Sequence, residues 1–264
     1  MASDHNDELF NSLLNQAAAV TPKVAPVSAE APIDLVEFVD NPEPRCPVVL
    51  LLDTAQSMAG APIAELNAGL RAFDHALKLD SVAALRVELA LITFGDRAQI
   101  WEPQHDQLAP DAEPARRAFV TATAFRPPTL TAGGPSCVGA AVILGLRLLH
   151  ERRQIYQRNG VDYFKPWIVL ISSGQPSDPG WEAAADQIRA TQQQQSALFY
   201  AIGVSGANMH ALARFTDTPL TLDRLAFSDL FRWISASLAA VSTSWDTPAT
   251  LNLPGCLRPT GATI

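Results

Sequence analysis

The stretch Val48-Val49-Leu50-Leu51-Leu52-Asp53-Thr54-Ala55-Gln56-Ser57-Met58 decides how this chain folds. It begins with a continuous apolar run and continues into an aspartate and a polar loop. An apolar run of this length, bounded by a turn, indicates a strand that is buried on both faces of a sheet. Asp53 and Ser57 then lie just beyond the carboxyl end of that strand, where open α/β sheets bind their ligands. We therefore expect the functional site at this end of the sheet.

The rest of the chain alternates between helical and strand patterns. Apolar residues recur every three or four positions from Ile63 to Leu77, which predicts a helix with one face on a sheet. Similar patterns predict strands at 86–94, 165–171, 198–203 and 219–222, an edge strand at 99–101, and helices at 115–119, 136–157, 181–195, 208–215 and 227–241. Such alternation predicts an α/β fold with a mostly parallel sheet, helices on both faces and right-handed crossovers. The edge strand is expected to be short and antiparallel.

The chain divides into three parts. Residues 1–46 form an N-terminal arm with helical periodicity at 7–20 and a proline-rich linker after it, a composition that favours an extended chain. The arm has the character of a docking segment, although a frayed terminus fits the same composition. Residues 47–242 form the folded domain. Residues 243–264 are polar and interrupted by proline and glycine, so we expect a C-terminal tail along the surface.

Composition argues against several classes of function. The 27 acidic and 19 basic residues give a net charge of −8, whereas a nucleic-acid-binding surface needs a basic stripe. The small basic group at Arg147, Arg152 and Arg153 is explained by its place late in a helix, where cations complement the dipole. The sequence has neither a secretory leader nor an apolar run of about 20 residues, so we expect a cytoplasmic protein without membrane contact.

The cysteines and the catalytic signatures indicate neither a zinc site nor an enzyme. The three cysteines form no C-x-x-C pair and are expected to be reduced: Cys46, Cys137 and Cys256. The chain lacks a phosphate-binding loop of the type G-x-x-x-x-G-K-[ST]. Ser136 lies one residue off the G-x-S-x-G pattern, and no motif supplies the histidine that a triad needs. A cryptic hydrolase or nucleotide binder stays as a rival, because a fold does not fix a function. A reactive Cys137 is a separate alternative, since a helix N-terminus lowers the pKa of a thiol.

Four stretches together resemble the von Willebrand factor A (vWA) family. They are the Asp53 segment quoted above, Asn41–Pro47, Leu130–Gly134 and Leu230–Ser237. The resemblance covers about residues 40 to 245 and is closest to the cytoplasmic bacterial vWA proteins associated with tellurite resistance, the TerY-like group. It implies a Rossmann-like, doubly wound domain that serves as a protein-interaction adaptor. It further implies a stress-response or phospho-signalling assembly, with protein kinases and phosphatases as the associated partner classes.

The vWA family uses this end of the sheet for a metal-ion-dependent adhesion site (MIDAS). In an intact site, two serines, a threonine and two aspartates hold Mg²⁺ or Mn²⁺, and the partner supplies a carboxylate. In this sequence Asp53 matches the first aspartate and Ser57 the second serine, whereas Ala55 replaces the first serine. Ser136 stands at the position of the threonine, and Ser173 stands at the position of the second aspartate.

The resemblance therefore implies a degenerate MIDAS and no metal cofactor, because one hydroxyl ligand and one carboxylate are missing. Mg²⁺ depends on anionic oxygen ligands to offset the cost of its dehydration. The alternative is a vWA domain that captures an acidic partner residue through Mg²⁺ or Mn²⁺ and a reduced ligand set. Without metal, the glycine-rich loop and the helix start could hold an acidic group through backbone N–H groups, although the glycines also fit a purely conformational role. The expected partner-binding residues are Asp53, Ser57, Gly133, Gly134, Ser136 and Ser173. A further alternative places the function in residues 1–46, with the folded domain as a scaffold.

Overall fold

A computed structural model describes residues 38, 41, 43–102, 114–204, 206–223, 226–241 and 253–259. Within these ranges eight strands form one sheet. The strands are β1 (Cys46–Asp53), β2 (Val87–Phe94), β3 (Ala98–Trp101), β4 (Val120–Thr121), β5 (Trp167–Ser172), β6 (Leu198–Gly203), β7 (Leu220–Leu222) and β8 (Leu257–Pro259). The helices are α1 (Ala61–Leu79), α2 (Ser81–Arg86), α3 (Pro114–Ala118), α4 (Val138–Arg158), α5 (Trp181–Gln193), α6 (Met209–Leu212) and α7 (Phe227–Val241), with a 3₁₀ turn at Gln56–Met58.

The sheet is mostly parallel, as the alternation of strands and helices predicts. Its strand order is β3-β2-β1-β5-β6-β7-β8, and β4 also pairs with β2. The five strands from β2 to β7 in this order run parallel to their neighbours. The short strands β3 and β4 pair antiparallel with β2, and β8 pairs antiparallel with β7. This is the doubly wound, Rossmann-like α/β fold, with the predicted antiparallel strand β3 at one edge.

Strand β1 is buried on both faces because successive side chains point to opposite sides of the sheet. Val48, Leu50 and Leu52 belong to a core cluster that also holds apolar residues of α1 and α7. On the other face, a Cβ atom added to Gly145 of α4 would lie 3.2 Å from Leu51 and 3.4 Å from Val49. The uninterrupted apolar run is therefore the signature of a central strand between two helical layers.

The structure departs from the sequence predictions at several element boundaries. Helix α4 begins at Val138 with Cys137 as its N-cap, two residues after the predicted start at 136. Strand β8 lies inside the segment that was expected to be a surface tail, so part of that segment completes the sheet. Helix α2 and strand β4 were not predicted. The predicted helix at 7–20 and the linker up to residue 37 lie outside the described residues.

A buried ion-pair cluster closes the end of the sheet opposite the predicted site. Glu88 of β2 is 3% exposed and lies 3.1 Å from the Nε of Arg45. Arg152 of α4 donates to the second Glu88 carboxylate oxygen from Nε at 2.9 Å and from Nη2 at 2.6 Å, and the Tyr156 hydroxyl donates to the same oxygen. The interpretation of Arg152 as a cation that complements the helix dipole is therefore wrong, because its side chain is 1% exposed and paired.

In the part of the chain that the structure describes, no helix combines the length and the apolar character needed to cross a membrane.

Candidate functional site

The predicted site lies where the winding of the sheet changes direction. Strand β1 is flanked by β2 on one side and by β5 on the other, which makes the carboxyl ends of β1 and β5 the switch point of the sheet. Crevices at such switch points are the usual ligand sites of doubly wound folds. Leu52 pairs with Ile171, so the next residues along the two strands, Asp53 and Ser172, come to lie side by side.

The Asp53 carboxylate is fully buried and accepts four hydrogen bonds. Its Oδ1 accepts from the backbone N–H of Ala55 at 2.9 Å. Its Oδ2 accepts from the Ser172 hydroxyl at 2.8 Å, from the Ser173 N–H at 3.0 Å and from the Ser173 hydroxyl at 2.9 Å. A carboxylate offers about four lone-pair positions, two on each oxygen, so Oδ2 is fully engaged while Oδ1 accepts a single bond from the chain. The local role of this aspartate is to tie the loop after β1 to the loop after β5.

Ser57 joins this network through Ser173. The two hydroxyl oxygens lie 2.7 Å apart, so Ser57 is linked to Asp53 through Ser173. The Ser173 hydroxyl has a single proton, which it donates to the Asp53 carboxylate, so the bond between the two serines must be donated by Ser57. The hydroxyl of the exposed Ser57 therefore donates its proton to Ser173, and its oxygen can accept hydrogen bonds from the solvent side.

The N-terminus of α4 is already capped by a carboxylate of the chain itself. Asp178, from the loop before α5, accepts from the N–H of Gly139 at 3.3 Å and from the N–H of Ala140 at 2.9 Å. Negative charge at a helix N-terminus is stabilising, and here it is supplied internally. The expectation that this helix start holds a partner's acidic group must therefore be corrected, because Asp178 takes that position.

Ser136 is held by its backbone rather than by its hydroxyl. Its carbonyl accepts from the Ser177 N–H at 2.9 Å and from the Ser177 hydroxyl at 2.8 Å, which fixes it beside the loop that follows β5. The residue is 3% exposed, and its Oγ has no hydrogen-bond partner among the described residues. Among the predicted site hydroxyls, that of Ser136 is the one that makes no hydrogen bond to the described part of the chain.

The Gly133–Gly134 loop is bonded to the loop after β1. The Gly133 N–H donates to the carbonyl of Thr54 at 2.8 Å, and the Gln56 N–H donates to the carbonyl of Gly134 at 2.8 Å. Gly134 has a φ of +72°, and an added Cβ atom would meet Asp96 at 3.0 Å. These contacts fit a purely conformational role of the two glycines, because the N–H of Gly133 already donates to a carbonyl of the chain.

The Cys137 thiol does not have the lowered pKa that its place near a helix start predicts. Burial raises its pKa to about 11, and the charges of Asp178, Asp96 and Asp53 add to the rise. The thiol is therefore protonated at neutral pH. The raised pKa speaks against the alternative of a reactive Cys137, since the loss of hydration and the three carboxylates outweigh the helix N-terminus.

Comparison with known proteins places the fold among solved structures. No protein-family model and no curated protein matches the chain. The pilus adhesin SpaC from Lactobacillus rhamnosus GG has a similar structure, with a TM-score of 0.55, 11% identity, and coverage of 75% of this chain and 31% of that one. The von Willebrand factor type A protein from Catenulispora acidiphila gives 0.48 with 16% identity, over 74% of this chain and 43% of that one.

The vWA fold is represented among these structures. A third one is proximal thread matrix protein 1 from the mussel byssus with a zinc-occupied MIDAS motif, at a TM-score of 0.47 and 15% identity, over 74% of this chain and 47% of that one. The chain thus spans less than half of the length of each of these three proteins. At such identities the likeness concerns the fold alone.

Two site residues were missed by the sequence reasoning. Ser172 follows the predicted strand at 165–171 and was given no role, yet its hydroxyl donates to Asp53 and also accepts from the Gly174 N–H at 2.9 Å. Asp178 was not among the predicted site residues, yet it caps α4 from 38 positions away in sequence. Ser172 had a signal in the sequence, since a polar residue directly after a buried strand at a switch point is a candidate ligand. The capping by Asp178 had none, because it depends on how two loops fold together.

Proposed function

We propose that this chain is a non-catalytic, vWA-type protein-interaction module whose degenerate MIDAS works without metal. The observation that carries the proposal is the bonding of the Asp53 carboxylate, which accepts four hydrogen bonds from the loops after β1 and β5. A hard cation needs several oxygen ligands in near-octahedral geometry. To reach Asp53 it would have to displace hydroxyl and N–H donors, with no second carboxylate at Ser173 or Gln175 to offset its dehydration.

The partner contact follows from the direction of the hydroxyl network. Ser57 is exposed and offers lone pairs, so it pairs with a hydrogen-bond donor of the partner rather than with a carboxylate. A metal-loaded site would instead draw in a carboxylate. The predicted contact residues are those of the sequence analysis. Ser57 and Gly134 are exposed, and Asp53 and Ser173 are the buried support of Ser57.

We also propose that the chain is not an enzyme. The Cys137 thiol is protonated at neutral pH, and the Ser136 hydroxyl contacts no base among the described residues. Neither side chain has the activation that a nucleophile requires.

The biological setting is proposed from the sequence resemblance alone. The TerY-like motifs support a cytoplasmic adaptor in a bacterial stress-response or phospho-signalling assembly, with a kinase or phosphatase among its partners. The acidic net charge of −8 supports a protein rather than a nucleic acid as the partner.

A metal-dependent vWA binder is the second candidate, and one observation favours it. The Ser136 Oγ is buried without a partner in the described part of the chain, as a ligand hydroxyl would be in the absence of its ion. Ser136 and Ser57 would be the residues that hold such an ion.

Calorimetric titration with Mg²⁺ and Mn²⁺ tests the proposal. We expect no binding heat for the native chain, and binding for the double variant Ala55→Ser, Ser173→Asp, which restores both missing ligands. Ser57→Ala in the restored background serves as the control, because it removes a direct ligand. Micromolar binding by the native chain would refute the metal-free site and establish the second candidate.

A further inference from the structure

A cavity of about 570 Å³ lies beside the strand-end site. This volume is within the range of roughly 300–1,000 Å³ that is usual for ligand pockets. The lining residues that matter below come from the loop after β5, from α5 and from the turn around α6: Pro176, Trp181, Glu182, Asn208, His210 and Arg214. None of the predicted site residues lines this cavity.

A hydrogen bond and a close backbone contact join the cavity wall to the loop after β5, which binds the Asp53 carboxylate through Ser173. The Asn208 N–H donates to the Ser173 carbonyl at 3.0 Å, and a Cβ atom added to Gly174 would lie 2.6 Å from the Asn208 carbonyl oxygen. The Asn208 side chain also caps α6 by accepting from the Ala211 N–H at 3.2 Å. A partner that touches Ser57 at the strand end would therefore extend naturally over this cavity.

Two nitrogen-bearing side chains line the same side of the cavity. His210 and Arg214 are four residues apart, and the helical turn continues past α6 because the Arg214 N–H donates to the carbonyl of Ala211 at 3.1 Å. Residues at this spacing lie on one face of a helical turn. His210 makes no side-chain hydrogen bond within the described residues.

The Arg214 guanidinium is only weakly engaged. Its Nη2 lies 3.8 Å from Asp186 Oδ1, and the two side chains are 52% and 71% exposed. An ion pair this long and this exposed contributes little in water. The guanidinium is thus available to an external anion, which it can bind through two parallel N–H donors.

An apolar surface completes the cavity. The Trp181 ring packs against Phe215 with centroids 5.8 Å apart and stays half-buried, and Pro176 lies beside it in the lining. An apolar floor with a few convergent polar groups is the usual make-up of a recognition pocket.

The strand-end donors described above are engaged within the chain or buried. Asp178 accepts from the N–H groups at the start of α4, and the unpartnered Ser136 hydroxyl is 3% exposed. Among the described residues that line the cavity, Arg214 carries a positive charge and His210 adds a ring N–H, and both residues are exposed. We propose that this cavity takes an acidic side chain of the partner protein, with its anionic group on Arg214 and His210 and a neighbouring apolar group on Trp181. The inference rests on the proposed interaction function and names the chemistry of its partner.

Glu182 gives the proposal a sharp test, because its carboxylate lines the same cavity and opposes an anion. The probes are phenyl phosphate, phenylacetate and benzylamine, which carry an aromatic ring with a phosphate, a carboxylate or an ammonium group. Binding is followed by NMR through the Trp181 indole N–H resonance, assigned with Trp181→Phe. The two anions distinguish a phosphorylated from a carboxylate side chain.

We expect both anions to bind and benzylamine not to bind. Arg214→Gln should weaken anion binding about tenfold, the effect of losing a charge-assisted hydrogen bond. Glu182→Gln should strengthen binding several-fold. The matched control is Arg232→Gln, since Arg232 is an exposed arginine paired with an aspartate on α7. Equal binding of benzylamine, or equal effects of the Arg214 and Arg232 changes, would overturn the proposal. Metal binding by the native chain would refute the metal-free site while leaving this result intact, so the two failures are distinguishable.

Discussion

At the scale of single residues, the hydroxyl of Ser173 does what a carboxylate could not. It donates to Asp53 and accepts from Ser57, which links two loops through one side chain. An aspartate at this position could only accept, and it would face a second carboxylate at hydrogen-bond distance. The hydroxyl therefore joins the two loops by hydrogen bonds alone, whereas two facing carboxylates would need a cation between them.

Ser173→Asp should destabilise the native chain by about 2 kcal/mol or more at neutral pH, because two buried carboxylates then face each other. Ser173→Asn is the matched control, since it has the same shape without the charge. The repulsion raises the pKa of the introduced carboxyl above its unfolded value. The penalty should thus be absent below about pH 4 and should grow as the pH rises through the raised pKa. Urea unfolding at pH 4 and pH 7 measures it, and a pH-independent difference between the two variants would contradict it.

The cysteines should alkylate slowly in the native state. The pKa of Cys46 is raised to about 12 and that of Cys137 to about 11, chiefly by burial, and burial also raises the pKa of Cys256. At pH 8 this lowers the thiolate population of Cys137 about a hundredfold or more relative to an ordinary thiol. Iodoacetamide labelling, followed per residue by mass spectrometry from pH 7 to 10, should show rates that rise toward high pH.

Asp178→Asn should speed the labelling of Cys137, because Asp178 is the largest charge contribution to its raised pKa. The urea-unfolded chain is the reference for full reactivity. If native Cys137 reacted as fast as in urea at pH 7.5, the buried, protonated thiol would be refuted.

At the scale of elements, apolar periodicity was sufficient to predict the long helices and strands but not the short ones. The stripe from Ile63 to Leu77 correctly gave α1, and the run at Val48 gave β1, because burial alone determines such patterns. Strand β8 has only three residues and is ordered by its partner β7. No local pattern encodes such a tertiary pairing, so the sequence placed it in a tail.

The packing of α1 against α7 predicts an effect of Gly69→Ala on stability that is opposite to the effect of helix propensity. Gly69 of α1 contacts α7 so closely that an added Cβ atom would lie 2.7 Å from the Phe227 Cβ and 3.0 Å from its backbone carbonyl carbon. Propensity alone would make Gly69→Ala stabilising by about 1 kcal/mol. We expect it instead to destabilise by about 1–3 kcal/mol, because the two helices must move apart.

Gly145→Ala is the control for this packing effect. Its nearest neighbours are the ends of Leu51, Val49 and Ile92 side chains at 3.2 to 3.8 Å, which adjust more readily than backbone does. Denaturant unfolding of both variants compares them, and a stabilised Gly69→Ala variant would show that α1 and α7 are not held this closely.

At the scale of the whole molecule, the two ends of the sheet have different electrostatic designs. The carboxyl end holds one carboxylate that accepts four hydrogen bonds, and the amino end holds Glu88 between two arginines. Asp53, Ser57 and Ser173 of the first end were predicted from the family resemblance, whereas no pattern in the sequence indicated the second end. Arg45, Glu88 and Arg152 are far apart in the chain, and only the completed fold brings them together.

Glu88→Gln should destabilise the chain by roughly 3–5 kcal/mol, because it leaves two buried guanidinium groups without their counter-charge. Glu43→Gln removes the acid of the partly exposed Arg86–Glu43 pair and should change stability by less than about 1 kcal/mol. The free energies of unfolding of the two variants test the contrast. Similar values would mean that the buried cluster contributes no more than a surface pair.

The bridge made by Ser173 also couples two positions that a designed metal site would need. An aspartate at position 173 alone would face the Asp53 carboxylate, while a serine at position 55 alone would add a hydroxyl without a second anionic group. Neither change by itself should therefore create a metal site, and the effects of the two changes on metal binding should be non-additive.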